Sequence, residues 1–279
     1  MLKQRVITAL VLVAILLPAL FVASAWPFAV LTLVAIAAAG WEWGRLNSAA
    51  GSPAVVLGCV LGAACAVALG LGWASAPPAT LWWWATGLWL LGSAWALRGG
   101  PLAWQPVPRA LRWLLGLALL WTGWLAMANA RSMGINFILS VFCLVWAADI
   151  SAYFGGRAFG KRKLAPSISP GKSWEGVWSG MLGVLLLAAL WVWVIDRQMR
   201  IDSGSLYSQL VDRWGLWRAA LALLFLSMMS VVGDLIESLV KRSAGAKDSS
   251  GLLPGHGGVL DRVDALLPVF PIALALVSL

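Results

Sequence analysis

Seven of the eleven acidic residues lie in or near the two most basic segments of the chain. They are Asp149, Glu175, Asp234, Glu237, Asp248, Asp261 and Asp264. The other four are Glu42, between two tryptophans, and Asp196, Asp202 and Asp212, in one polar stretch. We interpret Glu42 as interfacial and those three aspartates as a solvated loop. Carboxylates beside cations could hold a metal ion together with the phosphates of a substrate.

Four polar residues recur at i, i+3, i+4 and i+7 in segment 234–242, and they share one face if this segment is helical. They are Asp234, Glu237, Ser238 and Lys241. Asp261 and Asp264, three residues apart, begin the next predicted helix. Carboxylate oxygens suit Mg²⁺, which also binds water and nucleotide phosphates. The spacing therefore predicts a magnesium site where two helix ends meet.

A glycine-rich loop between these helices contains the single histidine, His256. Gly255, Gly257 and Gly258 surround it, and backbone N–H groups of such a loop can approach a phosphate. A lone histidine is more often structural, and segment 261–264 alone would fit a helix cap with a local ion pair. Their combination with grouped acids and bases favours a functional site.

Segment 238–264 also contains a specific series of polar and glycine positions. They are Ser238, Lys241, Arg242, Lys247, Asp248, Pro254, His256, Gly257, Gly258, Asp261, Arg262 and Asp264. This series resembles the signature of the phosphatidate cytidylyltransferase family. A second stretch, 149–176, is similar to the same family, from Asp149 through Arg157 to Lys172. Gly171 stands where the family usually has lysine, which removes one possible phosphate-facing cation.

The resemblance implies a membrane-embedded, homodimeric enzyme that joins CTP to phosphatidic acid, giving CDP-diacylglycerol and pyrophosphate. It implies Mg²⁺ on Asp234, Asp261 and Asp264, with a monovalent cation such as K⁺ as a second ion. The implied catalytic residues are Asp234, Lys241, Arg242, Lys247, Asp248, His256, Asp261, Arg262 and Asp264. The implied substrate-binding residues are Asp149, Lys172, Ser238, Gly257 and Gly258. The cations would neutralise phosphate charge, and His256 would donate a hydrogen bond or a proton to pyrophosphate.

Two other functions stay open from the sequence. One is a cytidylyltransferase for a different lipid phosphate, and the other is an ion-coupled transporter. Transporters also carry intramembrane acids, but they show inverted repeats and acids near the middle of the membrane. Here no repeat is evident and the acids cluster at the ends of apolar segments, which favours the enzyme.

Membrane helices must position these residues, because 61% of the 279 residues are hydrophobic and only 11% are charged. A soluble domain carries about a quarter charged residues. We predict an all-α integral membrane protein with about nine transmembrane helices of roughly 20 residues each. The predicted spans are 6–25, 27–44, 53–74, 80–97, 111–130, 134–155, 174–195, 217–239 and 264–279. Residues 1–130 would form N-terminal helices for packing or dimerisation, and residues 131–279 a catalytic domain.

The charges of the connecting segments predict the orientation. Fifteen of the 20 Lys and Arg fall on the side of the N-terminus and the two motifs. The positive-inside rule therefore places the N-terminus and the site on the cytoplasmic side, where the site would bind CTP and phosphatidate. We expect the membrane to be the inner membrane of a bacterium. This orientation also explains the net charge of +9 without a nucleic-acid partner. Lys3, Arg5 and the small residues 23–25 fit a cleavable signal as well, whose loss would leave this orientation unchanged.

Overall fold

The computed structural model describes residues 2–78, 80–199 and 201–279, and of residues 2, 3 and 5 it describes the backbone alone. Arg200 and the side chains of Lys3 and Arg5, three of the bases that predict the orientation, therefore lie outside the described part.

The chain is mainly helical, as the sequence predicts. The helices are α1 (Leu2–Phe21), α2 (Trp26–Leu46), α3 (Ser52–Gly70), α4 (Thr80–Trp104), α5 (Arg109–Met133), α6 (Ile135–Phe159), α7 (Trp174–Leu190), α8 (Leu206–Ser243), α9 (Leu260–Val263) and α10 (Leu266–Val277). A π-helical stretch, Trp191–Asp196, continues α7. Two antiparallel strands, β1 (Lys163–Ala165) and β2 (Ser169–Ser173), form a hairpin between α6 and α7. The all-α prediction did not include this hairpin.

Six of the described helices are long and apolar enough to cross a membrane. They are α2, α3, α5, α6, α7 with its π-helical extension, and α8. The chain is therefore a membrane protein. The other three predicted spans coincide with α1, α4 and the α9–α10 segment, which do not combine the length and the apolarity of these six. A total of nine spans and a cytoplasmic N-terminus stay predictions.

The last helix, α10, lies at the centre of the bundle. Every residue of α10 except Leu276 is buried, and the helix packs against α4, α5, α6 and α8. The hydrophobic core around α10 contains residues from both sides of position 130. The start of α10 and the preceding Asp264 are therefore fixed by packing from both halves of the chain. The assignment of catalysis to residues 131–279 stays a prediction.

The long helix α8 is interrupted once, at Gly215. Its φ of 76° lies in the left-handed region, which glycine adopts without a steric penalty. The part that follows carries Asp234 and Lys241 at its C-terminal end. The interruption therefore separates a short segment at one end of the bundle from the segment that builds the site at the other end.

Acidic residues cap helices at the end of the bundle away from the two motifs. Asp202 accepts hydrogen bonds from the backbone N–H groups of Ile135 (2.5 Å) and Asn136 (3.0 Å), at the start of α6. Asp196 accepts from Asn136 Nδ2 (2.8 Å) and Ser205 Oγ (2.5 Å). Burial acts to raise the pKa of Asp202, but these backbone hydrogen bonds outweigh it and lower the pKa. The solvated-loop interpretation is thus incomplete, because two of its three acids hold helix ends together.

Candidate functional site

A cavity of about 540 Å³ opens between α6, the hairpin and α8. Its polar and glycine lining consists of Asp149, Tyr153, Gly156, Arg157, Ser169, Gly171, Lys172, Ser173, Gly176 and Asp234. These residues come from both motifs that the sequence singled out. The structure therefore brings the two motifs together around one cavity, although about 60 residues of chain separate them.

An ion pair joins the two motifs across this cavity. Lys172 Nζ lies 2.7 Å from Asp234 Oδ2, and the two side chains are 25% and 32% exposed. Ser238 Oγ donates to Asp234 Oδ1 at 3.3 Å, which confirms the predicted shared face of α8. Lys172 is held on β2, just before the N-terminus of α7, where Ser173 Oγ accepts from Gly176 N at 3.2 Å. Both charges are thus fixed by backbone elements and accessible from the cavity.

Two further carboxylates lie near this ion pair. Asp149 lines the cavity, within electrostatic range of Lys172 and Asp234. Asp264 is within electrostatic range of Asp149 and Asp234, and its Oδ1 accepts from Ala265 N at 2.8 Å. Three carboxylates therefore share one region with a single directly paired lysine. Such a surplus of negative charge favours an added cation.

A complete metal-binding cluster is not preformed. Among the described residues, no three His, Cys, Asp or Glu side chains are arranged to hold a metal ion. Of the predicted ligands, Asp234 lines the cavity and Asp264 lies within electrostatic range of it, and the donor chemistry of both fits Mg²⁺. Asp261, the third predicted ligand, already contacts Lys241, Ser249 and Gly258. The three-acid set stays a prediction.

Asp261 belongs to a second, buried cluster behind the cavity. Lys241 Nζ lies 2.5 Å from both Asp261 Oδ1 and Glu237 Oε2. Asp261 Oδ2 accepts from Ser249 N (2.9 Å), Ser249 Oγ (2.8 Å) and Gly258 N (2.8 Å). Burial acts to raise the pKa of Asp261, but these hydrogen bonds outweigh it and hold the pKa below its usual range. Asp261 therefore orders the signature loop, and a metal ion would have to replace one of its bonds.

Glu42 anchors the same loop, and little in the sequence pointed to this role. Its side chain is fully buried within the protein at 0% exposure, which the interfacial interpretation did not predict. Oε1 accepts from Ser250 Oγ (2.6 Å) and Val259 N (3.0 Å), and Oε2 from Leu260 N (2.7 Å) and Ser249 Oγ (3.2 Å). An acid inside an apolar segment was the only signal that could have pointed to it. Glu42 thus connects α2 to the loop that precedes α9.

The glycines of the loop allow this close packing. Gly257 has a φ of 80°, and a Cβ on Gly258 would overlap Ser249 and Glu42. The N–H of Gly258 is donated to Asp261, so its predicted contact with a phosphate would require a rearrangement. His256 N donates to Leu253 O at 2.8 Å, and His256 Nδ1 is buried without a partner in the described part of the chain. The substrate and catalytic roles of Gly257, Gly258 and His256 stay predictions.

The remaining predicted charged residues fall into two groups. Arg242 donates to Ala246 O (Nη1, 3.1 Å) and Ile168 O (Nε, 3.4 Å), so it ties the end of α8 to the turn of the hairpin. Lys247, Asp248 and Arg262 are exposed, and their side chains make no hydrogen bond or ion pair with the described residues. The structure places these three near the signature loop and leaves their side chains accessible.

Comparison with known proteins shows what the chain resembles. Residues 3–279 match the model of the cytidylyltransferase family. A phosphatidate cytidylyltransferase of Pseudomonas aeruginosa is 38% identical over 293 residues, covering 99% of this chain and 97% of that protein. Proteins of the same name from Haemophilus influenzae and Brucella melitensis are 48% identical over 142 residues and 46% over 134 residues. Those two matches cover 50% and 48% of this chain and 44% of each relative.

Proposed function

Since the chain belongs to the cytidylyltransferase family, we propose that it transfers the cytidylyl group of CTP to phosphatidic acid, giving CDP-diacylglycerol and pyrophosphate. The observation that carries this proposal is the cavity in which Lys172 and Asp234, from two separate motifs, meet at 2.7 Å. The relative that aligns over nearly its whole length is named phosphatidate cytidylyltransferase. That name favours phosphatidate over another lipid phosphate, and an enzyme over a transporter.

The reaction needs charge neutralisation and alignment more than a strong base. A phosphate oxygen of phosphatidate attacks the α-phosphorus of CTP, and the bond from that phosphorus to the bridging oxygen of pyrophosphate breaks. The attacking oxygen is already anionic near neutral pH, so no side chain has to remove a proton first. Lys172 faces the cavity and can exchange its contact with Asp234 for a phosphate oxygen. Fixed cations at such positions stabilise the charge that develops during the transfer.

We propose Mg²⁺ as the cofactor, held by Asp234 and Asp264, with Asp261 as the third ligand on the strength of the family resemblance. Three carboxylates that share one lysine support this assignment. When bound, Mg²⁺ would neutralise phosphate charge and support the leaving group. K⁺ is the proposed second ion. Activity should vanish on chelation with EDTA and return with Mg²⁺ but not with Na⁺.

The proposal is tested by following the label of CTP into lipid. Purified protein in detergent micelles is given Mg²⁺, phosphatidate and CTP labelled at the α-phosphate, and labelled lipid should accumulate. CTP labelled at the γ-phosphate is the control, and its label should appear in pyrophosphate. A polyprenyl phosphate should not replace phosphatidate as the acceptor. Transfer only to that other acceptor, or no transfer at all, would contradict the proposal.

The orientation is a separate proposal: the cavity faces the cytoplasm from the bacterial inner membrane. The excess of basic residues at this end of the bundle and the cytoplasmic location of CTP support it. Gly251 and Gly204 are exposed at opposite ends, so each can be changed to cysteine in a chain whose three native cysteines are replaced. A membrane-impermeant thiol reagent applied outside the inner membrane should label position 204 and spare position 251. The reverse labelling would overturn the orientation.

We also propose a homodimer, which the family resemblance implies. Light scattering of the detergent-solubilised protein, corrected for bound detergent, should give twice the chain mass of 29.7 kDa. A mass of one chain would contradict this.

A further inference from the structure

A second cavity, of about 550 Å³, lies apart from the proposed active site and is lined by three arginines, Arg45, Arg109 and Arg112. Its walls come from the end of α2, the α4–α5 connection, the start of α5 and the end of α8. The cavity shares no lining residue with the cavity around Lys172 and Asp234. Because the end of α8 leads into the signature loop, both cavities open at the same end of the bundle.

The start of α5 concentrates positive charge where a helix tolerates it least. Arg109 and Arg112 occupy the first turn of α5, which contains no acidic residue. The N-terminus is the positive end of the helix dipole, so cations there are destabilising. The charge of Arg109 also acts unfavourably on Arg112. None of the residues that line the cavity is acidic. An anion in the cavity would relieve this repulsion.

Arg112 is the second, independent sign of a ligand. Its side chain belongs to the buried set at 8% exposure, yet it lines the cavity. Its Nε is buried without a hydrogen-bond partner, and its guanidinium forms no ion pair with the described residues. A buried Nε–H without an acceptor is costly, because it has lost its water and gained no hydrogen bond in return. A bound anion would supply the missing acceptor.

The walls of the cavity are held in place by hydrogen bonds that do not use the arginine side chains. Trp43 Nε1 donates to Arg112 O at 2.9 Å, which fixes the start of α5 against α2. Gln105 Nε2 donates to Ser243 O at 3.1 Å and ties the α4–α5 connection to the end of α8. The walls of the cavity are therefore preformed and do not have to be ordered by the ligand, and the Arg45 guanidinium lies over the ring of Trp41, 4.8 Å from its centroid.

We propose that this cavity binds a phosphate-bearing anion, in addition to the substrates of the first cavity. Guanidinium groups bind phosphate oxygens in paired, directional hydrogen bonds, which suits three arginines around one anion. The ends of membrane helices lie at the level of lipid headgroups, and soluble phosphates reach the same level from the water. The anion is thus the headgroup of an anionic phospholipid or a soluble phosphate, and the experiment distinguishes these two sources.

The test measures thermal unfolding of the purified full chain in detergent micelles as each probe is titrated. One arm adds phosphatidylglycerol, with phosphatidylcholine as its control. The other adds inorganic pyrophosphate, with sodium chloride at equal ionic strength as its control. Wild type is compared with Arg109→Gln, Arg112→Lys and two control variants. Arg98→Gln removes an exposed cation outside the cavity, and Lys172→Gln removes the lysine of the first cavity.

We expect one probe to raise the unfolding temperature of wild type, Arg98→Gln and Lys172→Gln with the same apparent affinity. That affinity should be at least about tenfold weaker in Arg109→Gln and Arg112→Lys, since a phosphate contact to a guanidinium fork is lost. Because Arg109 is exposed, its variant should fold even if the Arg112 variant does not. Stabilisation by phosphatidylglycerol identifies a lipid, and stabilisation by pyrophosphate identifies a soluble phosphate. No stabilisation, equal binding by Arg109→Gln and Arg98→Gln, or binding lost only in Lys172→Gln would overturn the proposal.

Discussion

The two ends of the helix bundle both carry aspartates, but they satisfy them in different ways. At one end, Asp202 accepts two backbone N–H groups at the start of α6, and Asp196 accepts side-chain donors of Asn136 and Ser205. At the other end, Asp234 is paired with the partly exposed Lys172 and a serine hydroxyl beside a large cavity. The same residue type therefore holds helices together at one end and remains accessible to a ligand at the other.

The difference shows which contacts to look for when an acid is assigned a role. A carboxylate whose oxygens are filled by backbone N–H groups cannot gain a metal ion or another cation as a partner without breaking the fold locally. A carboxylate satisfied by lysine can exchange that lysine for another cation. Glu42 and Asp261 lie at the active-site end but resemble the first kind, because backbone and serine donors fill most of their oxygens. The position of an acid near the active site therefore does not by itself show whether the acid stabilises the fold or binds a ligand.

The largest loss of activity should come from changing an acid that can bind a ligand. Asp234→Asn should lower turnover at least about 100-fold, since a charged ligand of the proposed metal ion and the partner of Lys172 is lost. The unfolding temperature should change little, because the side chain is one-third exposed. Asp264→Asn should behave in the same way, and the double change should add little more loss. Asp212→Asn, an exposed control at the other end, should keep full activity.

Changes at the loop anchors should reduce activity and stability together. In Glu42→Gln, one acceptor oxygen becomes an amide donor that faces donors of the loop, which costs about 1–3 kcal/mol for groups left unpaired. The unfolding temperature should therefore fall, and kcat should fall because this loop carries His256 and leads into α9, which carries Asp261. Asp261→Asn should show the same combination. Normal stability with lost activity in Glu42→Gln would show that Glu42 acts directly on the substrate instead.

Asp202→Ala should lower stability alone. The loss of a helix-capping carboxylate costs about 1 kcal/mol, while turnover per folded molecule should stay at the wild-type level.

The pKa of Asp202 is lowered in the folded state, so the unfolded state binds the proton more tightly. Stability from Asp202 is therefore complete above the unfolded pKa of about 4 and is lost as the pH falls through the lowered folded pKa. Unfolding temperatures of wild type and Asp202→Ala, measured across this range, should converge in acid. A constant difference at all pH values would contradict the capping role.

The smallest expected effect tests whether Arg262 takes part in the reaction or only helps to orient the chain in the membrane. Arg262→Lys keeps the charge that fixes orientation, but it replaces a guanidinium fork with a point charge. We expect a loss of about tenfold in kcat/KM, equal to about 1.4 kcal/mol. Arg98→Lys, an exposed arginine outside the motifs, should change nothing. Equal, mild effects at both positions would leave orientation as the only supported role of Arg262.

Local patterns predicted much of this structure. Apolar segments of bilayer length predicted where the helices lie, because a spanning helix must satisfy its own backbone and bury apolar side chains. The i, i+4 spacing of Asp234 and Ser238 correctly predicted that their side chains meet on α8. Both predictions depend only on residues close together in the sequence, because the helical repeat fixes where their side chains lie relative to one another.

What the sequence did not predict depends on distant contacts. Glu42 meets its partners Ser249 and Leu260 across 207 and 218 residues of chain, and no spacing rule links such positions. The hairpin around Lys172 forms in a short polar loop that lacks the alternating apolar pattern of a half-buried strand. Asp202 caps a helix 67 residues away. For Glu42 and Asp202, packing of the whole bundle decides which donors reach the carboxylate.

The central claim is that the cavity between the two motifs performs the transfer, whereas the acids at the opposite end only stabilise the fold. The most direct test follows lipid labelling from α-labelled CTP for wild type, Asp234→Asn and Asp202→Ala, with unfolding temperatures from the same preparations. We predict that Asp234→Asn keeps its stability and loses labelling, and that Asp202→Ala loses stability and keeps labelling per folded molecule. Near-normal labelling by Asp234→Asn, or a matching loss of labelling in both variants at equal folded amounts, would contradict the claim.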